Sequence, residues 1–287
     1  MIWFFLSLVV ALSVAVRDVS IKTYEDFQPL EIAALELFWA LPPLVIGCII
    51  VETPPLDQTF WWTFILSIPI NIMAYILYLY AIKLSPISLS VPFLAFTPVF
   101  MILTGFLVLG ETINFGGALG VGFIIIGSYI LHFKKGQIYI SAPFSAFVHE
   151  KGSWFMLIVA FLFSFAAVIG KKAMLHSSPL FFSYYFFLVF NILTLMGLIV
   201  CRKNNWQKII RNSPKGIWLG SLLMIHISFH GLAISLSTAV YMVAVKRSSI
   251  LFTVLLCWLI LKETEIRYRG FGTLLMFLGM LFITLLG

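Results

Sequence analysis

A chain of 287 residues that is 62% hydrophobic and 10% charged, with a mean hydropathy of +1.09, is excluded from the ordinary soluble domains, whose charged fraction is about 25%. Runs of about twenty apolar residues recur between short polar breaks, the length at which a helix spans hydrocarbon with every backbone polar group satisfied internally. The fold class is therefore an all-α membrane protein, and the net charge of +7 reports insertion and attraction to lipid headgroups, not nucleic acid.

The apolar runs predict ten transmembrane helices, at residues 2–23, 30–51, 60–82, 87–109, 114–133, 154–175, 180–201, 216–236, 239–261 and 268–286. The first has no basic start and no small-residue cleavage site, so it is expected to be a retained helix and not a signal peptide. It carries Arg17, Asp18 and Lys22 near its end, and the second carries Glu36 in "AALELFW", with Glu31 the nearest charged residue on the same helix. Asn71, Tyr75 and Tyr78 lie on the third segment, and Pro92 and Pro98 interrupt the fourth. Glu111 precedes the fifth, Lys172 lies near the end of the sixth, and His226 and His230 share one face of the eighth. The ninth holds Lys246 and Arg247 within "VYMVAVKRSSILFTVLLCWL", and Glu263 precedes the tenth. Cys48, Cys201 and Cys257 have neither paired nor metal-type spacing and read as reduced packing residues. No GxxxxGK[ST] run is present, so ATP is not expected to drive the protein directly and no cofactor is implied.

The chain is written twice. "AIKLS" at Ala81–Ser85 returns as "AISLS" at Ala233–Ser237, and "GET" at Gly110–Thr112 returns as "KET" at Lys262–Thr264, both at an offset of 152. Gly127 matches Gly279 on the same count, and Lys22 and Pro29 match Lys172 and Pro179 at an offset of 150. The expected organisation is two five-helix repeats, 1–133 and 154–287, joined by a linker at 134–153. Five crossings invert the second repeat relative to the first. The loop charges agree: "VETPPLDQTFWW" and "GETINFGG" hold no Lys or Arg, whereas their counterparts "CRKNNWQKIIRNSPKG" and "KETEIRYRG" are rich in both. The positive-inside rule then puts the 5–6, 7–8 and 9–10 loops in the cytoplasm of a plasma (inner) membrane and both chain ends outside.

At the offset of 152, Lys246 and Arg247 align with Leu94 and Ala95 inside the fourth segment, so the pair is expected within the membrane. A loop there would leave only 248–261 to cross about 30 Å at 1.5 Å per residue. A cation near mid-membrane costs roughly 2.5–3.5 kcal/mol, so it needs a cavity or a partner. Helical neighbours point about 100° apart, so one of the two is expected to face the cavity. Arg247 suits a carboxylate or phosphate through bidentate bonds, and Lys246 offers a point charge; the alternative is an ion pair with a carboxylate on another helix.

Glu36 is a proton carrier or substrate contact, or else half of a permanent salt bridge, according to whether Arg17 or Arg247 reaches it. Arg17 and Asp18 form a cavity-edge coupling cluster or the snorkelling end of a short helix. Lys22 and Lys172, matched between repeats, take a shared gating or architectural role. His226 and His230 are a polar wall or proton relay, or else hydrogen-bonded packing, and not a metal site, since no carboxylate or cysteine accompanies them on that helix. Asn71, Tyr75 and Tyr78 are the opposite wall, Tyr78 matching His230, or else an aromatic packing stripe. Glu111 and Glu263 are expected to face the positive N-termini of the fifth and tenth helices, and Pro92 and Pro98 to free backbone carbonyls or kink the fourth.

Lys22 and Lys172, the "AIKLS…LGET" and "AVKRSSILF…LKET" stretches, and Gly127 and Gly279 give the chain a likeness: it resembles the drug/metabolite transporter superfamily, specifically its ten-helix EamA-type members. Helix 2 of such proteins often carries a basic residue where this chain has Glu36, and members are drawn with both termini in the cytoplasm, opposite to the charge count here. The resemblance implies a multi-pass transporter of small metabolites, with a central cavity between the repeats reached alternately from either side. The expected function is a secondary transporter, an exporter, of a small polar or amphipathic metabolite, amino acid-like or another organic anion. Its partners are that substrate, membrane lipids and protons as the candidate coupling ion. The alternatives are a flippase for a lipid-linked phosphate or sugar carrier, and an intramembrane lipid-modifying enzyme using His226, His230 and Glu36 as acid and base, which lacks a recognised catalytic constellation.

Overall fold

The computed structural model describes residues 1–85, 90–130, 151–200, 205–261 and 270–286, and among these there is no strand. The helices are α1 (Ile2–Thr23), α2 (Pro29–Ile50), α3 (Gln58–Leu84), a 3-10 turn (Val91–Phe96) that runs into α4 (Thr97–Leu109), α5 (Phe115–Ile130), α6 (Lys151–Leu175), α7 (Pro179–Val200), a short α8 (Trp206–Arg211), α9 (Ser213–Ser235), α10 (Ala239–Lys246), α11 (Ser249–Leu261) and α12 (Gly270–Leu286). Six of them, α1, α2, α3, α6, α7 and α9, are long and apolar enough to cross a membrane.

Local chemistry marks where these helices begin and end. Pro29 opens α2, and the Glu31 carboxylate accepts from the Gln28 amide at 3.0 Å. Asp57 caps α3 by accepting from the Phe60 amide at 2.8 Å. That bond, with His176 2.6 Å away, holds the Asp57 carboxyl below the usual carboxylate range. Asn114 caps α5 through the Gly117 amide at 2.7 Å. Gly110 ends α4 at φ +67°, a left-handed position that glycine occupies without a side-chain penalty. Large apolar side chains such as Ile49, Leu107, Phe115 and Val200 lie exposed on the outside, the arrangement hydrocarbon accepts and water does not.

Two expected segments differ from the structure. The segment expected at 87–109 enters as the 3-10 turn and becomes α-helical only at Thr97, with Pro98 in the first turn of α4, where its missing N–H is not needed. The segment expected to be continuous over 239–261 is two helices, α10 and α11, parted at Arg247 and Ser248. At the 152-residue offset Thr97 matches Ser249, the first residue of α11, so both halves break at the same register.

Packing follows the same correspondence. α1 packs on α9 and α11 as α6 packs on α3 and α4. α5 meets α12 through glycines. A β-carbon at Gly120 would lie 2.7 Å from the Gly279 carbonyl oxygen, and one at Gly279 would lie 2.6 Å from that of Gly120. Gly127 and Gly272 meet in the same way, at 2.6 Å, and the two contacts exchange under the offset. Such small residues let helix backbones approach closely where lipid supplies no hydrophobic drive between helices.

This contact predicts an asymmetric response within α5. Gly120→Ala places a methyl against backbone and lowers stability by about 1–3 kcal/mol, read as an earlier melting transition of the purified protein. Gly122→Ala, whose β-carbon would meet nothing within 4 Å, leaves the transition unchanged or gains up to about 1 kcal/mol of helix propensity.

Candidate functional site

The break between α10 and α11 is not an open loop. The Arg247 amide donates to the carbonyls of Val243 and Ala244 at 3.0 and 3.1 Å, Ser248 to Val245 at 3.0 Å, and Ile250 to Arg247 at 3.0 Å, so the chain tightens into a 3-10 path. Arg247 is 3% exposed there. Its Nη2 donates to the Thr97 hydroxyl at 2.8 Å, which joins the break in one half of the chain to the break in the other. Lys246 reaches the other way, with Nζ 3.2 Å from Nε2 of His226 on α9. Both cations line one central cavity. The expectation that only one of them faces it is corrected: the α-helix ends at Lys246, and the two side chains line the same cavity, one beside His226 and the other bonded to Thr97.

Opposite this pair stands a buried acid–base cluster on α1, α2 and α3. Arg17 and Glu36 form a two-pronged bond, Nε to Oε1 at 2.5 Å and Nη2 to Oε2 at 2.7 Å, and the Tyr75 hydroxyl adds a bond to Oε2 at 2.6 Å. The Tyr78 hydroxyl donates to the Asp18 carboxylate at 2.6 Å, and Arg17 Nη1 lies 3.7 Å from Asp18. The guanidinium carbon stands 5.7 Å from the ring centres of both tyrosines. Arg17, Asp18 and Glu36 are 7%, 1% and 0% exposed, so α1 is not ending in water at Arg17 and the snorkelling alternative is excluded. It is Arg17 that reaches Glu36. Arg17, Tyr75, Tyr78 and Asn71 line the cavity, while Glu36 and Asp18 stand behind that wall.

The cavity holds about 160 Å³. Its floor on α9 is His226 and His230, with ring centres 5.4 Å apart. Phe182, Phe186 and Phe190 of α7 supply an aromatic side. Among the described residues Arg247 Nε and His230 Nδ1 are buried without a hydrogen-bond partner, an unmet donor and an unmet ring nitrogen beside the cavity. Among the described residues no group of three or more His, Cys, Asp or Glu side chains is gathered for a metal.

The lysine pairing expected from sequence is shifted by one residue. Lys22 Nζ donates to the carbonyls of Ile82 and Ser85 at 3.1 Å each. In the second half the carbonyl equivalent to Ser85, that of Ser237, takes its bond from Lys171 and not from Lys172. Lys171 also pairs with Glu111 at 2.5 Å, whereas Lys172 reaches the Val108 carbonyl at 3.5 Å. Glu111 does face a helix N-terminus, but it is that of α10, whose Ala239 amide donates to it at 2.9 Å, while Asn114 caps α5. Sequence reasoning missed Lys171, Thr97 and the phenylalanines of α7. The one available signal was the doublet in "GKKAML", where the offset alone does not choose between two lysines. Residues 134–150 of the expected linker, Cys201 and Glu263 lie outside the described residues, and residues 151–153 open α6.

Glu36→Gln leaves the Arg17 guanidinium buried without its counter-charge and is expected to lower stability by about 3–5 kcal/mol. The double change Arg17→Leu with Glu36→Leu recovers part of that loss, because it removes both partners of the pair, and the remainder reports Asp18 and the Tyr75 hydroxyl, which lose their contacts. Chemical or thermal unfolding of the three variants checks the ordering.

The profile of the EamA-like transporter family matches residues 1–133 and 150–285. Among solved structures 28 chains match; one, described as "Crystal structure of protein", aligns with a TM-score of 0.67 over 99% of this chain and 96% of its own at 14% identity, a likeness of fold alone. A search of curated proteins returned no match. With the family profile spanning both halves of an all-helical, lipid-facing bundle around a buried cavity, the chain belongs to the EamA-like transporter family and is a membrane transporter of the drug/metabolite transporter type.

Proposed function

We propose that this chain is a secondary transporter, an exporter, of a small organic anion, with Arg247 and Lys246 holding the anionic group in the central cavity. The observation that carries this reading is Arg247 itself: buried at the facing helix breaks, bonded through Nη2 to a neutral hydroxyl, and with Nε lacking a hydrogen-bond partner among the described residues. A guanidinium in that state lacks the anion it is built to bind bidentately. A cavity of about 160 Å³ favours a small metabolite over the lipid-linked carrier of a flippase. Alternating access follows from exchange between the two halves, 1–133 and 154–287, about the breaks at Thr97 and Arg247, with ten crossings in two inverted five-helix repeats. Coupling runs through Arg17: a proton on Glu36 weakens the two-pronged bond and frees a cavity-lining cation, with Asp18 beside it. Lys22, Lys171 and Lys172, at the ends of α1 and α6, hold the helix-end carbonyls that must part for the cavity to open.

Counterflow in proteoliposomes, with a labelled panel of aliphatic and aromatic carboxylates, phosphate esters and amino acids, tests this directly. An anion exchanges in the wild type, and Arg247→Gln lowers its apparent affinity by at least about tenfold, ~1.4 kcal/mol. Absence of exchange for every compound in the panel defeats the reading.

The charge bias of the loops further supports a plasma membrane topology with both termini outside. In a variant free of its native cysteines, a cysteine at Ile2 or Leu286 is expected to react with an impermeant maleimide added to intact cells; labelling only after permeabilisation reverses the assignment.

A further inference from the structure

Resting on the transport reading above, we propose that the ligand of the central cavity is a monoanionic carboxylic acid with an aromatic or similarly apolar body and no amino group. The described wall of the cavity presents four cationic side chains, Arg17, Lys171, Lys246 and Arg247, and no carboxylate. The nearby carboxylates are committed elsewhere. Glu36 is held by Arg17 and Tyr75, Asp18 takes the Tyr78 hydroxyl on both oxygens, and Glu111 is held by Lys171 and the Ala239 amide.

An amino acid would carry its ammonium into this space, where it would meet cations and no counter-charge, leaving a desolvated charge unpaired. His226 offers no substitute, because an ammonium has only donors and Lys246 therefore already occupies its Nε2 lone pair. The uncharged polar groups of the wall, among them Asn71, Thr97, Ser183 and His230, offer an ammonium dipoles but no counter-charge.

The charge balance sets the valence. Arg17 and Lys171 are paired with Glu36, Asp18 and Glu111, and with Lys246 and Arg247 added these described groups carry one net positive charge, which a monoanion neutralises. The rest of the wall sets the body. Phe163, Phe187 and Phe190 join Phe182 and Phe186, the last two stacked with centroids 5.0 Å apart, a surface suited to a flat apolar group. A cavity of about 160 Å³ is well under the roughly 300 Å³ at which drug-sized pockets begin. A single-ring acid is of that scale.

Thermal unfolding of the full chain in lipid nanodiscs, titrated with hydrocinnamate, phenylalanine and phenethylamine, presents one body with three charge patterns. Hydrocinnamate is expected to raise the melting temperature with a dissociation constant at least about tenfold below that of phenylalanine, while phenethylamine gives no shift. Arg247→Lys keeps part of the hydrocinnamate response and Arg247→Gln loses it; should the glutamine variant fail to fold, a response in Arg247→Lys weaker than wild type carries the same result. Phenylalanine or phenethylamine binding as tightly as hydrocinnamate overturns the proposal and leaves anion transport standing. If none of the three shifts the melting temperature, the aromatic-acid class is wrong, and the counterflow panel, which contains anions with no ring, decides separately whether the transport reading falls with it.

Discussion

Charge buried among apolar helices persists only where something pairs it, and the bond between Arg17 and Glu36 is the contact on which the cavity depends. It ties α1 to α2 at two points, draws the Tyr75 hydroxyl of α3 onto the same carboxylate, and sets the guanidinium beside the rings of Tyr75 and Tyr78. Tyr78 in turn closes on Asp18. Both carboxylates thereby stand behind two tyrosines and an arginine, and the surface left facing inward is cationic. A bond whose net contribution to stability is modest, because desolvation offsets most of its Coulombic gain, still decides the sign of the cavity.

The second organising feature is the pair of helix breaks. α4 and α11 begin at residues matched by the 152-residue offset, and the Arg247–Thr97 bond links them. A helix that breaks inside a bundle exposes polar backbone and re-aims the side chains around it, which is tolerated only where the break lines a cavity or is buried in protein. Here it brings two consecutive cations to one space, which an unbroken helix does not favour. The lysine bonds to Ser85 and Ser237 repeat the same correspondence at the ends of α3 and α9, and the glycine contacts between α5 and α12 repeat it again. The helix breaks, the glycine contacts and the carbonyls that take the lysine bonds thus share one register, while the lysines themselves do not.

Hydropathy was enough to mark the six long apolar helices within a few residues, because hydrocarbon thickness imposes their length whatever they pack against. The offset that matches Gly127 with Gly279 made them equivalents and named no contact; in the structure Gly127 meets Gly272 and Gly279 meets Gly120. It failed for Lys172, because a helix turns by one residue more easily than a count allows, and the carbonyl of Ser237 selects Lys171 by reach. It also missed the division of 239–261, since an apolar run flanking "KRSS" has the composition of one helix and the break arises from what that stretch meets: Thr97 on one side and His226 on the other.

By itself, the sequence determined that the chain is a helical membrane protein with an internal duplication and with two cations, Lys246 and Arg247, inside an apolar run. Which carboxylate would neutralise which cation was decided only by the tertiary structure. Glu36 lies nineteen residues from Arg17 and much farther along the chain from Arg247, and sequence separation carries no information about which guanidinium comes within 3 Å once helices pack. That choice leaves Arg247 open and the cavity positive, because an ion pair forms by distance and desolvation, quantities that exist only after the helices have met.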